Sequence, residues 1–273
     1  MSIQVKKILI TGASGFIGTY LLKYLPKKNY HYTLIVKKKI IGLNKKYFDQ
    51  IIIKNIFNFN LCSWIKILKN KHTVLHLAWY LNKNYQNSKK NFYCYKGTLN
   101  LAKASIKENV KRFIGIGTCA EYESSNKILD INSPLKSTNS YEHYKILTFL
   151  KLRILFKSKV KFVWLRPFFI YGQNQKTSQV IGAVLKNKSL NKITKINSYG
   201  NKIDYISVHQ VCRDIVKILK KNSNRSIYNI CTGRGFKIKD FLINKLKINK
   251  NLLMFIDMKV KKNDIIVTKN INH

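Results

Sequence analysis

Apolar and polar positions divide the chain into two alternating kinds of run. Lys6-Lys7-Ile8-Leu9-Ile10 is short and apolar without polar alternation, the pattern of a strand buried on both faces of a parallel sheet. Residues 20–25 then bring apolar side chains back at helical spacing, and Pro26 closes that helix. Comparable runs predict strands at 32–36, 50–54, 74–78, 113–117 and 162–170, and helices over 96–109 and 141–156. Strands alternating with helices specify an α/β fold, a Rossmann-type doubly wound parallel sheet. Beyond Gly172 the pattern loosens. Residues 193–196 and 254–260 read as strands of a smaller C-terminal domain, and 226–230 as a return to the main sheet. The predicted division is 1–172 with 206–231 for the main domain, and 173–205 with 232–273 for the small one.

Between the first strand and the first helix lies Thr11-Gly12-Ala13-Ser14-Gly15-Phe16-Ile17-Gly18. Strand, glycine turn and helix together form the context of a dinucleotide-binding fingerprint. Gly12 permits the tight turn, Gly15 lets backbone approach a pyrophosphate, and Gly18 lets helix pack on strand. The chain has 12 glycines in 273 residues, so three in register here argue against a chance loop. About twenty residues on, an acidic side chain would hold the ribose hydroxyl of NAD. The chain reads Val36-Lys37-Lys38-Lys39 instead, and a cation such as Lys37 suits the 2′-phosphate of NADP, with NAD the alternative.

Composition changes the picture in two places. The formal charge is +41, but 46 of the 52 basic residues are lysine and they spread along the whole chain. That distribution reads as a compositional bias, as in an AT-rich genome, giving a solvated lysine coat. We therefore infer no nucleic-acid partner, with salt-dependent RNA or membrane-surface binding kept as an alternative. The five cysteines are scattered with no CxxC, which predicts reduced thiols, no zinc site and a cytoplasmic protein. The first strand begins at residue 6, so no signal peptide is expected, and no apolar run has the length of a membrane span.

The candidate chemistry lies at Tyr141-Glu142-His143-Tyr144-Lys145. Tyr141 and Lys145, four apart, share one helix face. An ammonium beside a phenol lowers its pKa and fits it for acid–base work. Thr118, just past the strand ending at Gly117, faces the crevice beyond the carboxyl ends of the strands and can bond the same substrate oxygen. Among the histidines, His76 reads as a satisfied core residue, His143 projects from another helix face, and His209 reads as structural. No histidine pair has metal-ligand spacing, so no metal is expected.

With these motifs in this order, the chain resembles the extended short-chain dehydrogenases/reductases of the NAD-dependent epimerase/dehydratase family. The matching stretches are TGASGFIG at 11–18, HLAW at 76–79, GT at 97–98, GTCAEY at 117–122, YEHYK at 141–145, LRPFFIYG at 165–172, DYISV at 204–208 and YNICTG at 228–233. The resemblance implies Thr118, Tyr141 and Lys145 as the catalytic set, with Lys145 also on the nicotinamide ribose. It implies cofactor contacts from Gly12, Ser14, Gly15, Phe16, Ile17, Gly18, Lys37, Asn55, Ile56, Leu77, Ala78, Lys145 and Pro167. It implies substrate contacts from Thr118, Cys119, Glu121, Tyr141 and Asn174, and a homodimer built on helices 96–109 and 141–156. For Glu121, a structural contact of a loop carboxylate stands beside the substrate role.

The dehydratases of this family carry Asp-Glu directly after the threonine, where this chain has Cys119-Ala120. HLAW with GTCAEY is closer to reductases and epimerases of 4-keto-6-deoxy sugar nucleotides. Other departures are Asn55 for an acidic residue, Cys94 for an asparagine, Ile203 for an arginine, and His209-Gln210 for an acidic pair. The expected function is an NAD(P)-dependent reductase of a nucleotide-activated 4-keto-6-deoxy sugar in surface-polysaccharide synthesis. The alternatives are an NAD-dependent 4-epimerase, and a weakly catalytic dinucleotide-binding protein with a basic RNA- or membrane-binding surface.

Overall fold

The first apolar run forms β1 (Lys6–Thr11), and the residues after the glycine turn form α1 (Phe16–Leu21). These come from a computed structural model that describes residues 5–82, 84–125, 128–198, 202–221 and 226–257. The chain continues through β2 (Tyr30–Val36), β3 (Phe48–Ile52), α2 (Leu61–Leu68), β4 (Thr73–His76), α3 (Lys90–Lys107), β5 (Arg112–Ile116), α4 (Ser140–Leu155) and β6 (Lys161–Pro167). After these follow β7 (Phe169–Tyr171), α5 (Val180–Ser189), β8 (Thr194–Ser198), β9 (Lys202–Ile203), β10 (Tyr205–Ser207) and α6 (Val208–Lys220). The last elements are β11 (Ile227–Ile230), β12 (Phe236–Lys237) and β13 (Leu253–Asp257).

Seven strands make one parallel sheet in the order β11-β6-β5-β4-β1-β2-β3. The order reverses between β1 and β4, which opens a crevice beyond the carboxyl ends of those strands. Unbroken apolar runs build this sheet because both faces are covered. Ile8 and Ile10 face a core with α1 and α6, where Leu21, Val211 and Ile215 pack. Leu9 faces the other core, with Trp64 of α2, Leu101 of α3 and Phe149 and Leu152 of α4. Helix α6 repeats Val208, Val211, Cys212, Ile215 and Leu219 at helical spacing, so one stripe of it is buried.

Four expectations change in detail. The helix expected over 20–25 lies four residues earlier, as α1, and residues 22–24 form turns rather than helix. Helix α3 begins at Lys90, six residues before the predicted start, where the buried Asn91 side chain donates to the carbonyls of Tyr85 and Ser88 and ties in the preceding turn. The predicted strand 162–170 is two strands. Pro167 still pairs with Ile230 of β11, but Phe169 pairs with Tyr205 of β10 in a separate two-stranded sheet, so the chain changes sheets at Phe168. The predicted strand 254–260 is seen as β13, paired in parallel with β8, and residues 258–260 lie outside the described part. Ile181, Val184, Ile196, Phe241 and Leu242 form an apolar cluster separate from the main cores.

Turns use asparagine where glycine is the more common residue. Among the described residues Asn29, Asn70, Asn84, Asn109, Asn174 and Asn191 all have φ between 51° and 65°. Asn109 ends α3 in a Schellman turn, with Val110 N–H donating to Ser105 O at 2.9 Å and Asn109 N–H to Ile106 O at 3.1 Å.

Candidate active site

The turn after β1 is shaped by contacts that admit no side chain. Gly12 has φ +74°, and a Cβ there would lie 2.7 Å from Ala78 N. A Cβ on Gly18 would lie 2.3 Å from Gly12 O, so α1 can approach the turn only with glycine at this position. Ser14 and Gly15 are exposed, while Phe16 and Ile17 are partly buried. The turn is tied to the end of β4: Leu77 N–H donates to Thr11 O at 3.1 Å. This backbone cradle, which a Cβ would fill, fits a pyrophosphate-bearing dinucleotide.

Beneath it runs a buried chain of hydrogen bonds. Thr98 Oγ1 donates to Cys94 O at 2.7 Å, so it accepts from His76 Nε2 at 2.9 Å. His76 Nδ1 is then the acceptor for Thr11 Oγ1 at 2.7 Å, and Thr11 Oγ1 accepts from Ala78 N–H at 3.4 Å. The imidazole is neutral; burial, aided by the charge of Lys145, pushes its pKa down to about 3. His76 is the satisfied core residue that its setting in an apolar strand suggests.

At the end of β5, Thr118 caps the short 3-10 turn Cys119–Glu121. Its hydroxyl accepts from Ala120 N–H at 3.3 Å, and Glu121 Oε1 accepts from Thr118 N–H at 2.9 Å, a reciprocal capping box. Glu121 is fully buried. Its Oε2 accepts from Arg166 Nε at 2.7 Å and from Trp164 Nε1 at 3.0 Å. Arg166 Nη1 donates to Tyr122 OH at 3.0 Å, and Tyr122 OH to Asn229 Oδ1 at 2.7 Å. Glu121 is therefore not placed to touch substrate: its carboxylate is used up by Arg166, Trp164 and the backbone of Thr118. Cys119 is buried, and burial raises its thiol pKa far above the usual range.

Tyr141 and Lys145 lie one turn apart on α4, as their spacing requires. Lys145 is buried; its Nζ donates to Ile116 O at 2.6 Å, 3.9 Å from the centre of the Trp79 ring. Burial pushes Lys145 down to about 8, against the opposing charges of Glu121 and Cys94. Trp79 and Tyr85 meet the Tyr141 ring edge-on, at 6.5 and 4.9 Å between centres. The expectation that Lys145 lowers the Tyr141 pKa is corrected by this geometry. Burial raises the phenol well above its ordinary value, Tyr85 adds to the rise, and hydrogen bonding to Thr118 acts the other way. Lys145 Nζ is 6.0 Å from the Tyr141 ring centre and spends its short bond on Ile116.

The remaining predicted residues surround this centre. Asn55 caps the turn Ile56–Asn58 through Phe57 N–H at 3.1 Å, and α3 packs on that turn at Gly97, where a Cβ would lie 2.6 Å from Phe57 Cα. Lys37, just past the end of β2, is exposed. Pro167 is buried at the end of β6. Asn174 is exposed and lies towards α1, where its neighbour Gln173 accepts from Tyr20 OH at 2.9 Å. Lys176 crosses the crevice mouth and donates to Leu81 O and Asn82 Oδ1 at 2.6 and 2.7 Å. His143 is exposed, and His209 bonds Tyr24 OH at 2.7 Å.

Sequence reasoning missed Trp79, Tyr85 and the Arg166–Glu121 pair as parts of the site. Trp79 follows an apolar strand that ends in the crevice, which is a usable signal. Tyr85 sits in an irregular asparagine-rich stretch and offers none.

The match to known proteins agrees with this geometry. The family model for the NAD dependent epimerase/dehydratase family matches residues 8–231. The chain is 26% identical to CDP-abequose synthase of Salmonella muenchen, over 85% of this chain and 76% of that protein. It is 24% identical to dTDP-6-deoxy-L-talose 4-dehydrogenase (NAD(+)) of Aggregatibacter actinomycetemcomitans, over 83% and 84% of the two chains. Among solved structures it superposes on MoeE5 in complex with UDP-glucuronic acid and NAD with a TM-score of 0.81 at 18% identity, covering 97% of this chain and 90% of that one. With the glycine cradle, the parallel sheet and the Thr118, Tyr141 and Lys145 cluster in one crevice, the chain belongs to the NAD-dependent epimerase/dehydratase family.

Proposed function

We propose that the protein is an NAD(P)-dependent reductase of a nucleotide-activated 4-keto-6-deoxy sugar, in the supply of sugars for surface polysaccharide. The observation that carries this reading is the Tyr141 phenol, held protonated by burial beside Thr118, with Cys119 and Ala120 in the next two positions. A protonated phenol is the form a carbonyl reduction needs, since the oxygen must receive a proton as the carbon receives hydride. Neither Cys119 nor Ala120 can act as the acid–base pair that water elimination requires. Two sugar-nucleotide proteins similar to this chain, one named a 4-dehydrogenase, support a reaction at C4.

In this reading Gly12, Ser14, Gly15, Phe16, Ile17 and Gly18 hold the dinucleotide phosphates, Asn55 and Ile56 flank the adenine, and Leu77, Ala78 and Pro167 flank the remainder. Lys37, with no acidic residue at the end of β2, favours the 2′-phosphate of NADP over NAD. When bound, the cofactor supplies the hydride. Tyr141 donates its proton to the carbonyl oxygen, and Thr118 Oγ1 orients that oxygen. Lys145, charged below about pH 8, holds the nicotinamide ribose. A cavity of about 360 Å³ between α5 and β8, lined by Thr177, Ser178, Gln179 and Asn197, is suited to the nucleotide of the substrate.

A homodimer through α3 and α4 is supported by exposed apolar side chains on these helices: Phe92, Tyr93, Leu150 and Ile154. A cytoplasmic setting is supported by five free cysteines. No helix among the described residues is long and apolar enough to cross a membrane.

The test is titration with NADPH and NADH, followed by nicotinamide absorbance on a panel of 4-keto-6-deoxy sugar nucleotides. NADPH consumption that falls by about 10²–10⁴ in Tyr141→Phe, with cofactor affinity kept, is the expected result. Tightly retained NAD with interconversion of C4 epimers and no net consumption would replace the reductase with the 4-epimerase.

A further inference from the structure

At the end of the sheet opposite the crevice, a second pocket of about 130 Å³ lies between the amino ends of the strands and the last turn of α6. Lys6, Tyr30, His72, Arg112, Lys220 and Lys221 line it. Arg112 is the first residue of β5 and is only 7% exposed. Its Nη1 donates to Leu219 O at 3.2 Å and to Lys221 O at 3.1 Å, which fastens β5 to the end of α6. Its other edge, Nε and Nη2, is buried with no hydrogen-bond partner. That edge presents two parallel N–H donors, the fork that receives a carboxylate or phosphate side-on.

No aspartate or glutamate lines the pocket among the described residues. The pKa of His72 is lowered by burial and then by the charges of Lys6, Arg112 and Lys111. Burial lowers the pKa of Arg112, and the nearby Tyr228 and Tyr30 act the other way. A buried cation with unused donors is costly unless an opposite charge satisfies it. The lysines at the rim supply the field that draws such a charge in.

We propose that this pocket is a second anion site, separate from the dinucleotide crevice, and that it takes a phosphate dianion, either free or as the terminal phosphoryl group of a small ester. Arg112 receives two oxygens side-on, and Lys6 and Lys220 meet the remainder from the rim.

The test is calorimetric titration of inorganic phosphate and, separately, of glycerol phosphate into the full chain. It is joined to selenate soaks of crystals, whose anomalous signal locates the anion. The expected result is binding in solution, with selenate between Arg112, Lys6 and Lys220. Arg112→Lys, which keeps the charge and loses the fork, should weaken phosphate binding about tenfold. Because Arg112 also fastens α6, the rim variant Lys6→Ala/Lys220→Ala provides an independent test, and it too should weaken binding by about tenfold with an unchanged Tm. Tighter binding of the ester assigns the site to a phosphoryl group, and equal or tighter binding of phosphate to the free ion. Phosphate affinity unchanged in both variants, or selenate found only at residues 11–18, overturns the proposal. So does binding of an RNA oligonucleotide without binding of phosphate.

Discussion

The turn after β1 and the pocket after β5 open at the same edge of the sheet but are made of opposite materials. The turn is a backbone device. Its geometry is enforced by the absence of side chains, with Gly12 against Ala78 and Gly18 against its own turn. The pocket is a side-chain device, in which Tyr141 and Lys145 are enclosed by Trp79 and Tyr85 and underpinned by Glu121 and Arg166. A backbone device fails by steric overlap, so it tolerates almost no substitution at its glycines. A side-chain device fails by loss of charge balance, and one buried member can unseat the others.

The largest effect expected from breaking this contrast is at Glu121. Glu121→Gln leaves Arg166 buried without its counter-charge and should cost about 3–5 kcal/mol. In a chain of this size that corresponds to a Tm fall of roughly 10 °C, read by differential scanning calorimetry. A Tm within 2 °C of the parent would mean that the pair contributes nothing to the pocket. Gly18→Ala comes next. With its Cβ 2.3 Å from Gly12 O, the turn must open, at about 1–3 kcal/mol in stability. Dinucleotide affinity should fall by a larger factor than in Tyr141→Phe, and equal losses in the two variants would erase the distinction between the devices.

His76 ties the turn after β1 to Thr98 of α3, and its contribution depends on pH. The unfolded imidazole takes up a proton near pH 6.5, and the folded one near 3. The unfolded state therefore binds more protons between those values. The stability given by neutral His76 is present above about pH 6.5 and is lost as pH falls below it. The unfolding free energy should carry up to about 1.4 kcal/mol per pH unit from this residue between pH 6 and 4. His76→Gln should flatten that slope in urea titrations; an unchanged slope would remove His76 as its source. The smallest effect is outside both devices. Asn109→Gly, in the left-handed turn after α3, should change stability by less than about 1 kcal/mol in chemical denaturation.

The same contrast separates what was legible in the sequence from what was not. Glycines required by close backbone approach stand out in a chain this poor in glycine, and Tyr141 and Lys145 follow from a helical spacing of four. The sheet was legible because strands covered on both faces need uninterrupted apolar runs such as Ile8 to Ile10. Glu121 was visible only as a carboxylate in a loop. Its partner lies 45 positions away on β6, and no local pattern reports such a pairing. The pKa of Tyr141 was misread because spacing gives the direction of Lys145 along the helix but not its burial or its bond to Ile116. The asparagine turns were passed over because asparagine is abundant here for compositional reasons, which masks its use in place of glycine. The break at Phe168 was hidden because both of the strands it separates are apolar.

That break has a consequence for how the protein is made. The outer neighbour of β6 is β11, and residues 168–226 lie between them. On a translating ribosome β6 is complete while its partner has yet to be synthesised. At ordinary elongation rates that interval is roughly 3–12 seconds. For that time the free hydrogen-bonding edge of Lys161–Pro167, in a run containing Phe162, Val163, Trp164 and Leu165, is open to pairing with any other extended chain. The nascent chain is therefore most in need of a chaperone after its cofactor cradle is already built.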